Sequence, residues 1–159
     1  MYDCIIIGGG AAGLFAASHI PTNYKTCIID HSDRLGKKLS ITGKGRCNLT
    51  NSADKEEFFS NIRTNSQFFY SAFSRFSNYD VIDYFENKGV KLKIERGNRV
   101  FPESDYAGEI VSTLLKDVKQ KKHQVIFDSV IKIEKIDDCL VVLCQKNKYF
   151  AKNVILATG

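Results

Sequence analysis

The sequence feature that most constrains the fold is a glycine-rich run directly after the first apolar segment. Residues 4–7 (Cys-Ile-Ile-Ile) are followed by Gly8, Gly10 and Gly13 in the spacing G-x-G-x-x-G, and no Lys, Arg, Asp or Glu occurs between Cys4 and Ile20. In such a run the first glycine makes a tight turn off a strand, the second lets a pyrophosphate approach the backbone, and the third lets the next helix lie close to the strand. The pattern therefore predicts a buried strand, a turn and a helix whose amino end accepts the phosphates of a dinucleotide.

An acidic residue ends the second apolar segment. Residues 25–30 (Lys-Thr-Cys-Ile-Ile-Asp) predict a second buried strand, which completes a right-handed βαβ unit. Asp30 lies 22 positions after Gly8, and a dinucleotide site requires an acid ~20 residues on, where the carboxylate accepts hydrogen bonds from ribose hydroxyls. The alternative is a structural glycine turn with a solvated carboxylate, and the agreement of strand, glycine run and acid favours the dinucleotide site.

The rest of the chain predicts an insertion followed by strands. Loop-forming residues fill 33–51, and apolar residues at helical spacing indicate a mainly helical insertion over 52–122, with Asp80 as the expected N-cap of one helix. Later strands are expected at Val125–Phe127, Val130–Ile136, Leu140–Cys144, Tyr149–Phe150 and Val154–Ala157. We therefore expect one α/β, Rossmann-like domain over residues 1–159, with a parallel sheet, the insertion after the second strand, and a β-meander.

The end of the sequence indicates a larger protein. Gly159 follows the apolar residues 154–157 at once, whereas a buried strand normally leads into a further element that covers the sheet. We therefore expect the chain to be the N-terminal portion of a longer protein.

Composition restricts the class of protein. A hydrophobic content of 43% supports a packed core, and a net charge of +5 suits a phosphate-bearing ligand without indicating nucleic acid by itself. The five cysteines include no C-x-x-C pair and no metal-site spacing, which indicates reduced thiols in a cytoplasmic protein and no bound metal. The uncharged residues 4–24 are interrupted by glycines and Pro21, so we expect neither an export signal nor a membrane span.

Two further segments carry a family resemblance. Residues 36–51 read Gly-Lys-Lys-Leu-Ser-Ile-Thr-Gly-Lys-Gly-Arg-Cys-Asn-Leu-Thr-Asn, and residues 98–104 read Asn-Arg-Val-Phe-Pro-Glu-Ser. The first resembles the G-[RK]-K-x-x-x-[TS]-G-x-G-R-C-N-x-T-N signature of the YhiN/BaiN-like flavoproteins, and the second is similar to the R-V-F-P-x-S segment of that family. These proteins are two-dinucleotide-fold flavoproteins, and the resemblance runs in order along the whole chain.

The resemblance implies FAD as cofactor, with NAD(P)H as a candidate electron donor. It implies that the pyrophosphate is held by Gly8, Gly10, Ala12 and Gly13, the adenosine ribose by Asp30, and the adenine by the backbone of Val130. It implies that Lys37 and Lys38 contact the phosphates or the ribityl chain, and that Thr42, Gly43, Cys47 and Asn48 lie along the flavin edge. Ala157, Thr158 and Gly159 would close over the cofactor. Hydride transfer would pass through flavin N5 to or from a small molecule. No residue is assigned as a catalytic acid or base.

Several side chains leave alternatives open. Arg34, Lys37, Lys38, Lys44 and Arg46 make a basic loop that either wraps an anion or is simply solvated. Cys47 lies beside Arg46, so a lowered pKa is expected for its thiol, although without a resolving partner a packing role is favoured over a catalytic one. For the aromatic residues a core role is favoured over a substrate groove. They are Phe68, Phe69, Phe73, Phe76, Tyr79, Tyr84 and Phe85.

The function favoured by these features is the FAD-binding portion of a flavin-dependent oxidoreductase that acts on a small molecule. One alternative is a non-catalytic FAD- or nucleotide-binding module. Another is an RNA-modifying flavoprotein, suggested by the net charge and the basic loop but supported by no stacking motif or dense basic stripe. A plain NAD(P) dehydrogenase is disfavoured by the long insertion after Asp30. We therefore expect neither a nucleic-acid partner nor a membrane.

Overall fold

The computed structural model describes residues Met1–Gly159 and separates them into two compact units. The first consists of Met1–Leu39 and Leu114–Gly159, and the second of Ser40–Thr113. The strands are β1 (Tyr2–Ile7), β2 (Thr26–Asp30), β3 (Thr50–Asn51), β4 (Leu92–Glu95), β5 (Arg99–Pro102), β6 (Gln124–Phe127), β7 (Val130–Ile136), β8 (Cys139–Cys144) and β9 (Lys148–Leu156). The helices are α1 (Ala11–His19), the single turn α2 (Thr42–Gly45), α3 (Lys55–Ser60), α4 (Ser66–Arg75), α5 (Asn78–Glu86) and α6 (Ala107–Gln120), and a 3₁₀ turn covers Leu39–Ile41.

The first unit is built on a six-stranded sheet in the order β6-β2-β1-β9-β8-β7. β1 pairs in parallel with β2 and β9, and β2 pairs in parallel with β6, whereas β8 is antiparallel to both β9 and β7. The β-branched residues of β1 and β2 are buried on both faces, as a central parallel sheet requires. The predicted α/β, Rossmann-like class with a parallel sheet and a β-meander is therefore confirmed.

One long strand replaces two predicted ones. β9 runs without interruption from Lys148 to Leu156, across the gap that we expected between Tyr149–Phe150 and Val154–Ala157. Ala151 pairs with Leu140 of the antiparallel β8 and with Tyr2 of the parallel β1, so the backbone is held on both sides where a break was predicted. The apolar pattern is interrupted there because Lys152 and Asn153 are both exposed, although the strand continues through them.

The second unit contains a three-stranded antiparallel sheet and short helices. Its strand order is β3-β5-β4, with Ile94 opposite Val100. α5 begins one turn earlier than expected, because Ser77 is the N-cap and Asp80 is the third residue of a capping box. The Ser77 side chain accepts the Asp80 N–H, and the Asp80 carboxylate accepts the Ser77 N–H. The expectation that Asp80 is the N-cap is therefore wrong.

The aromatic residues of the second unit are only partly in its core. Phe73 and Phe85 are buried. Phe68 is 91% exposed and Tyr70 51% exposed. Helical spacing predicted a buried stripe, but the buried ring of α4 is that of Phe73 alone. No helix of the chain has both the length and the apolar character needed to cross a membrane.

Candidate functional site

The turn after β1 has the geometry that the first glycine of the run predicts. Gly8 has a φ of 105°, and its N–H donates to the Ile29 carbonyl oxygen at 2.8 Å. A Cβ at Gly8 would overlap the carbonyl oxygen of Ala157, just beyond β9. Ala157 is in turn fixed by its own N–H, which donates to the Ile7 carbonyl oxygen at 2.8 Å. Only glycine combines this φ with this close approach.

The third glycine of the run sets the distance between α1 and the turn. A Cβ at Gly13 would overlap the carbonyl oxygen of Gly8. Any side chain at this position would push the helix away from β1. The close packing of strand and helix that the sequence predicted is therefore present.

Gly10 differs from the other two glycines because nothing fills the space beside it. It is the N-cap of α1, with a φ of −80° that any residue adopts, and an added Cβ would meet no atom within 4 Å. No side chain caps this helix end, and its first turn contains no acidic residue. The amino end of α1 therefore presents its N–H groups and the positive end of its dipole to open space, which is the requirement for binding phosphate.

Asp30 fixes the glycine turn as well as ending β2. One carboxylate oxygen accepts the Gly9 N–H at 2.5 Å and the other accepts the Ser32 N–H at 2.7 Å. The residue is only 9% exposed. Burial opposes ionisation of the carboxylate, but the N–H bonds from Gly9 and Ser32 and a hydrogen bond from the Ser32 side chain, with a smaller contribution from nearby His31, hold its pKa below the ordinary value. Sequence reasoning predicted a ribose contact here and missed this contact with the turn.

The loop after β2 also contacts the glycine turn, which the sequence did not indicate. The Gly36 N–H donates to the Gly9 carbonyl oxygen at 2.8 Å, and the buried Leu35 side chain occupies the position that a Cβ on Gly9 would need. In the sequence, the signal for this contact was Gly36, because its φ of 70° is one that glycine adopts readily. Lys37 and Lys38 follow in exposed positions, and Lys37 lies 3.0 Å from the Asp33 carboxylate.

The remaining predicted residues of the first unit lie around the same sheet. Ala157 contacts the glycine turn as described, and Thr158 and Gly159 follow it in exposed positions. Val130, at the start of β7, packs against the buried cluster that contains Ile7 and Ile29. The structure thus brings together the glycine run, Asp30 and Ala157.

The four predicted residues of the second unit form a tight turn. Gly43 has a φ of 56°, and a Cβ there would lie 2.9 Å from the Asn48 backbone nitrogen. The Cys47 N–H donates to the Thr42 carbonyl oxygen at 3.0 Å. Thr42, Gly43, Cys47 and Asn48 are therefore neighbours within this unit, and their assignment to the flavin edge stays a prediction.

Arg46 is held by carboxylates of its own unit. Its guanidinium donates to Asp105 at 2.7 Å and to Glu95, and it lies 4.3 Å from the centre of the Phe101 ring. The same Asp105 accepts from Lys93 at 2.6 Å. Two carboxylates already balance the Arg46 charge, so the anion-wrapping role expected of the basic loop does not extend to this residue.

The expected lowering of the Cys47 pKa is wrong. Cys47 is 1% exposed, and burial raises the pKa of its thiol. Arg46 does not offset this effect because its guanidinium is bound to Glu95 and Asp105. The favoured packing role suits this environment, in which a thiolate is disfavoured.

Comparison with known families decides the relationship of the chain. The family described as HI0933-like protein Rossmann domain matches residues 2–159. The chain belongs to this family. The resemblance to YhiN/BaiN-like flavoproteins, drawn from residues 36–51 and 98–104, is thereby confirmed.

Curated relatives and solved structures place this Rossmann domain in context. It is 28% identical over 97% of its length to a 3-dehydro-bile acid delta(4,6)-reductase from Clostridium scindens, and 30% identical over 98% of its length to a ribosomal RNA dihydrouridine synthase from Haemophilus influenzae. It spans 38% and 39% of those two proteins. THI4 from Thermovibrio ammonificans shares the fold, with a TM-score of 0.66 at 14% identity over 99% of this chain and 56% of that one.

Proposed function

We propose that this chain is the FAD-binding portion of a flavin-dependent oxidoreductase. The observation that carries the proposal is the open space at Gly10, beside an uncapped helix end and bounded by the closely packed Gly8 and Gly13. The flavoprotein resemblance of residues 36–51 supports FAD over other dinucleotides, and the reductase among the curated relatives supports an oxidoreductase.

The residues of the first unit fit an adenine dinucleotide. The backbone at Gly8, Gly10, Ala12 and Gly13 would hold the pyrophosphate, because the space beside Gly10 is free of protein atoms. Asp30 would accept the ribose hydroxyls, since a carboxylate offers about four acceptor sites, more than the Gly9 N–H and the two groups of Ser32 occupy. Lys37, Lys38, Val130, Ala157, Thr158 and Gly159 complete the proposed contacts of this unit. Thr42, Gly43, Cys47 and Asn48 remain proposed flavin contacts on the resemblance alone.

The chemistry of hydride acceptance and donation would be supplied by the flavin when it is bound. This chain would supply binding and orientation, and no residue of it is proposed as an acid or base. We propose NAD(P)H as the electron donor and a small molecule as the substrate. We also propose a cytoplasmic location, which the five free cysteines support.

The substitution Gly10→Val tests the proposal. A valine side chain at Gly10 finds open space and an ordinary φ, so the fold should keep its melting temperature without cofactor. The same side chain would occupy the space proposed for the pyrophosphate. The purified wild-type protein should therefore show flavin absorbance, and the Gly10→Val protein should show little or none.

Gly89→Ala is the matched control. An added Cβ at Gly89 also meets no atom within 4 Å, but this glycine lies after α5 in the second unit. Its φ of 83° makes some loss of stability expected without loss of flavin. Full flavin absorbance in the Gly10→Val protein would contradict the proposed phosphate site. Anaerobic titration with NADH and NADPH then separates an enzyme, whose flavin is bleached, from a binding module, whose flavin stays oxidised.

A second candidate function is that of an RNA-modifying flavoprotein. It is favoured by the similarity to a ribosomal RNA dihydrouridine synthase and by the net charge of +5. It retains the same FAD site and replaces the small-molecule substrate by RNA. Salt-dependent binding of RNA by the purified protein would support it, and an absence of binding at low salt would exclude it.

A further inference from the structure

Asp128 is a buried carboxylate of the first unit that has no role in the site described so far. It follows β6 directly and is only 6% exposed. One of its oxygens accepts the Ser129 N–H at 2.8 Å, and the other accepts the Lys146 N–H at 3.3 Å. Lys146 lies in the hairpin between β8 and β9. The side chain therefore joins the turn after β6 to a hairpin 18 residues further along the chain.

The backbone of Asp128 joins the same turn to the central sheet. Its N–H donates to the carbonyl oxygen of Asp30 at 3.0 Å, just beyond the pair of Asp30 and Phe127 that ends the ladder between β2 and β6. The Gln145 N–H donates to the carbonyl oxygen of Ser129 at 2.9 Å. The turn after β6 is thus held by β2 on one side and by the β8–β9 hairpin on the other, and Asp128 contacts both.

The carboxyl ends of β1, β2 and β6 lie in one row. Ile7 pairs with Ile29, and Asp30 pairs with Phe127, so the three parallel strands end at the same edge. The glycine turn, Asp30 and the turn after β6 therefore follow one another at about 4.8 Å per strand. Phosphate, ribose and base are joined in this same order in a nucleotide. A nucleotide with its phosphate at Gly10 and its ribose at Asp30 directs its base toward the turn after β6.

The strand that begins at this turn, β7, lies at the edge of the sheet. It pairs with β8 on one side and with no strand on the other. Its register against β8 shifts between Val130 and Lys132, and Ile131 at the shift is 69% exposed. An edge strand leaves N–H and carbonyl groups unpaired on its open side, and bulges are common beside binding sites. The start of β7 therefore offers backbone donors and acceptors on the side away from β8.

We propose that Asp128 is a positioning residue for the adenine base of the dinucleotide. By fixing the turn after β6, it sets the position of the backbone at Val130, whose N–H and carbonyl groups bind the base. An adenine edge presents an amino donor beside a ring-nitrogen acceptor. One carbonyl and one N–H of a strand are complementary to this pair. The inference rests on the proposed FAD site and adds the residue that makes this site selective for adenine.

The surroundings of Asp128 indicate that it acts through the backbone and does not touch the base itself. A carboxylate that only closes its own turn accepts N–H groups from the next few residues, whereas Asp128 also accepts one from Lys146. The carboxylate also lies near Cys144 of the buried cluster. Burial, together with this nearby charge, raises the pKa of the Cys144 thiol to about 11. Asp128 is therefore turned inward, away from the ligand.

The experiment compares ADP with IDP by isothermal titration calorimetry of the full chain after removal of bound flavin. The two nucleotides share their phosphates and ribose, but the base of IDP has a carbonyl oxygen and an N–H where adenine has the amino group and the acceptor nitrogen. Wild type should bind ADP about 10-fold more tightly than IDP. Asp128→Ala should reduce this ratio to about 2-fold or less. Asp128→Asn, which keeps one acceptor oxygen, should give an intermediate ratio.

The ratio of the two affinities separates positioning from stability. A residue needed only for stability lowers the folded fraction and weakens both nucleotides alike, which leaves the ratio unchanged. Asp138→Asn alters an exposed carboxylate at the other end of β7 and is the matched control, with a wild-type ratio expected. Gly10→Val should weaken both nucleotides together, because they share the phosphates. If circular dichroism shows that Asp128→Ala misfolds, the ratio of Asp128→Asn decides.

Flavin absorbance of the same proteins as purified separates this inference from the FAD proposal. A wild-type ratio in both Asp128 variants, or equal binding of ADP and IDP by flavin-containing wild type, would overturn the positioning role and leave the FAD site standing. A chain that never contains flavin, yet loses its preference for ADP in the Asp128 variants, would refute FAD as the cofactor and support the adenine site. Failure of wild type to bind ADP would overturn both.

Discussion

Replacing Asp30 with asparagine tests how the glycine turn is held. Asparagine has the same shape but only one acceptor oxygen, so either the Gly9 N–H or the Ser32 N–H, bound at 2.5 and 2.7 Å in the wild type, would face an NH₂ group. A hydrogen bond to a charged group is worth about 1.5–3 kcal/mol, and a buried donor left without an acceptor adds about 1 kcal/mol or more. We therefore expect Asp30→Asn to lower the free energy of unfolding by about 3 kcal/mol without any cofactor.

The assay is urea and thermal denaturation of cofactor-free protein at neutral pH. A loss of this size corresponds to a fall in melting temperature of about 6–12 °C for a domain of this length. Asp33→Asn is the control, because that carboxylate is exposed and pairs with Lys37 on the surface. The Asp33→Asn protein should have the same melting temperature and urea midpoint as wild type.

The pH dependence gives a second measure of the same contact. The pKa of Asp30 is lower in the folded than in the unfolded protein, so its contribution to stability is complete above the unfolded value of about 3.9. That contribution is lost as the pH falls below this value and through the folded pKa. The difference between wild type and Asp30→Asn should therefore be largest at neutral pH and shrink in acid. Equal stability of the two proteins at neutral pH would refute the role of Asp30 in holding the turn.

Two further predictions concern packing around the proposed sites. Gly13→Ala places a Cβ against the Gly8 carbonyl oxygen and should lower the free energy of unfolding by about 1–3 kcal/mol in cofactor-free denaturation, whereas equal stability would show that α1 can move away from β1 at no cost. Cys47, buried and with a raised pKa, should react with iodoacetamide far more slowly than the partly exposed Cys139 at neutral pH, as measured by mass spectrometry of peptides. Equal rates would show that Cys47 is accessible as a thiolate.

The glycine turn and Asp30 could be predicted from the sequence because the rules for such a turn are local. A tight turn, a close helix and an acid at the end of the next strand each require a residue type at a fixed spacing, and Gly8, Gly13 and Asp30 supply them. The same argument could not show that Asp30 binds the Gly9 N–H. That bond depends on the register of β1 against β2, in which Ile7 lies opposite Ile29, and this register is a tertiary property.

Sequence predictions fail where tertiary contacts decide the outcome. Adjacency predicts an effect of Arg46 on Cys47, but Glu95 and Asp105 lie 49 and 59 positions away from Arg46 in the sequence and bind its guanidinium. The spacing of the aromatic residues predicts a core, yet a helix with rings on several sides can bury only some of them. The residue types alone do not decide between Asp80 and Ser77, because Asp and Ser are both good N-caps. In the structure Ser77 is the N-cap, so α5 begins one turn before Asp80.

Because β9 is continuous, its pairing with β8 and the contact of Ala157 with the glycine turn depend on the same strand register. The first residues of β9 pair with β8, and the residue after its end, Ala157, places its carbonyl oxygen against Gly8. A shift of one residue along β9 would therefore turn Val154 to the opposite face of the sheet. The same shift would move the backbone that supports the glycine turn away from it. An extra residue within β9 would cause such a shift, whereas the hairpin at residues 145–147 lies outside the paired residues. The register of the meander therefore determines where the backbone of Ala157 meets the glycine turn.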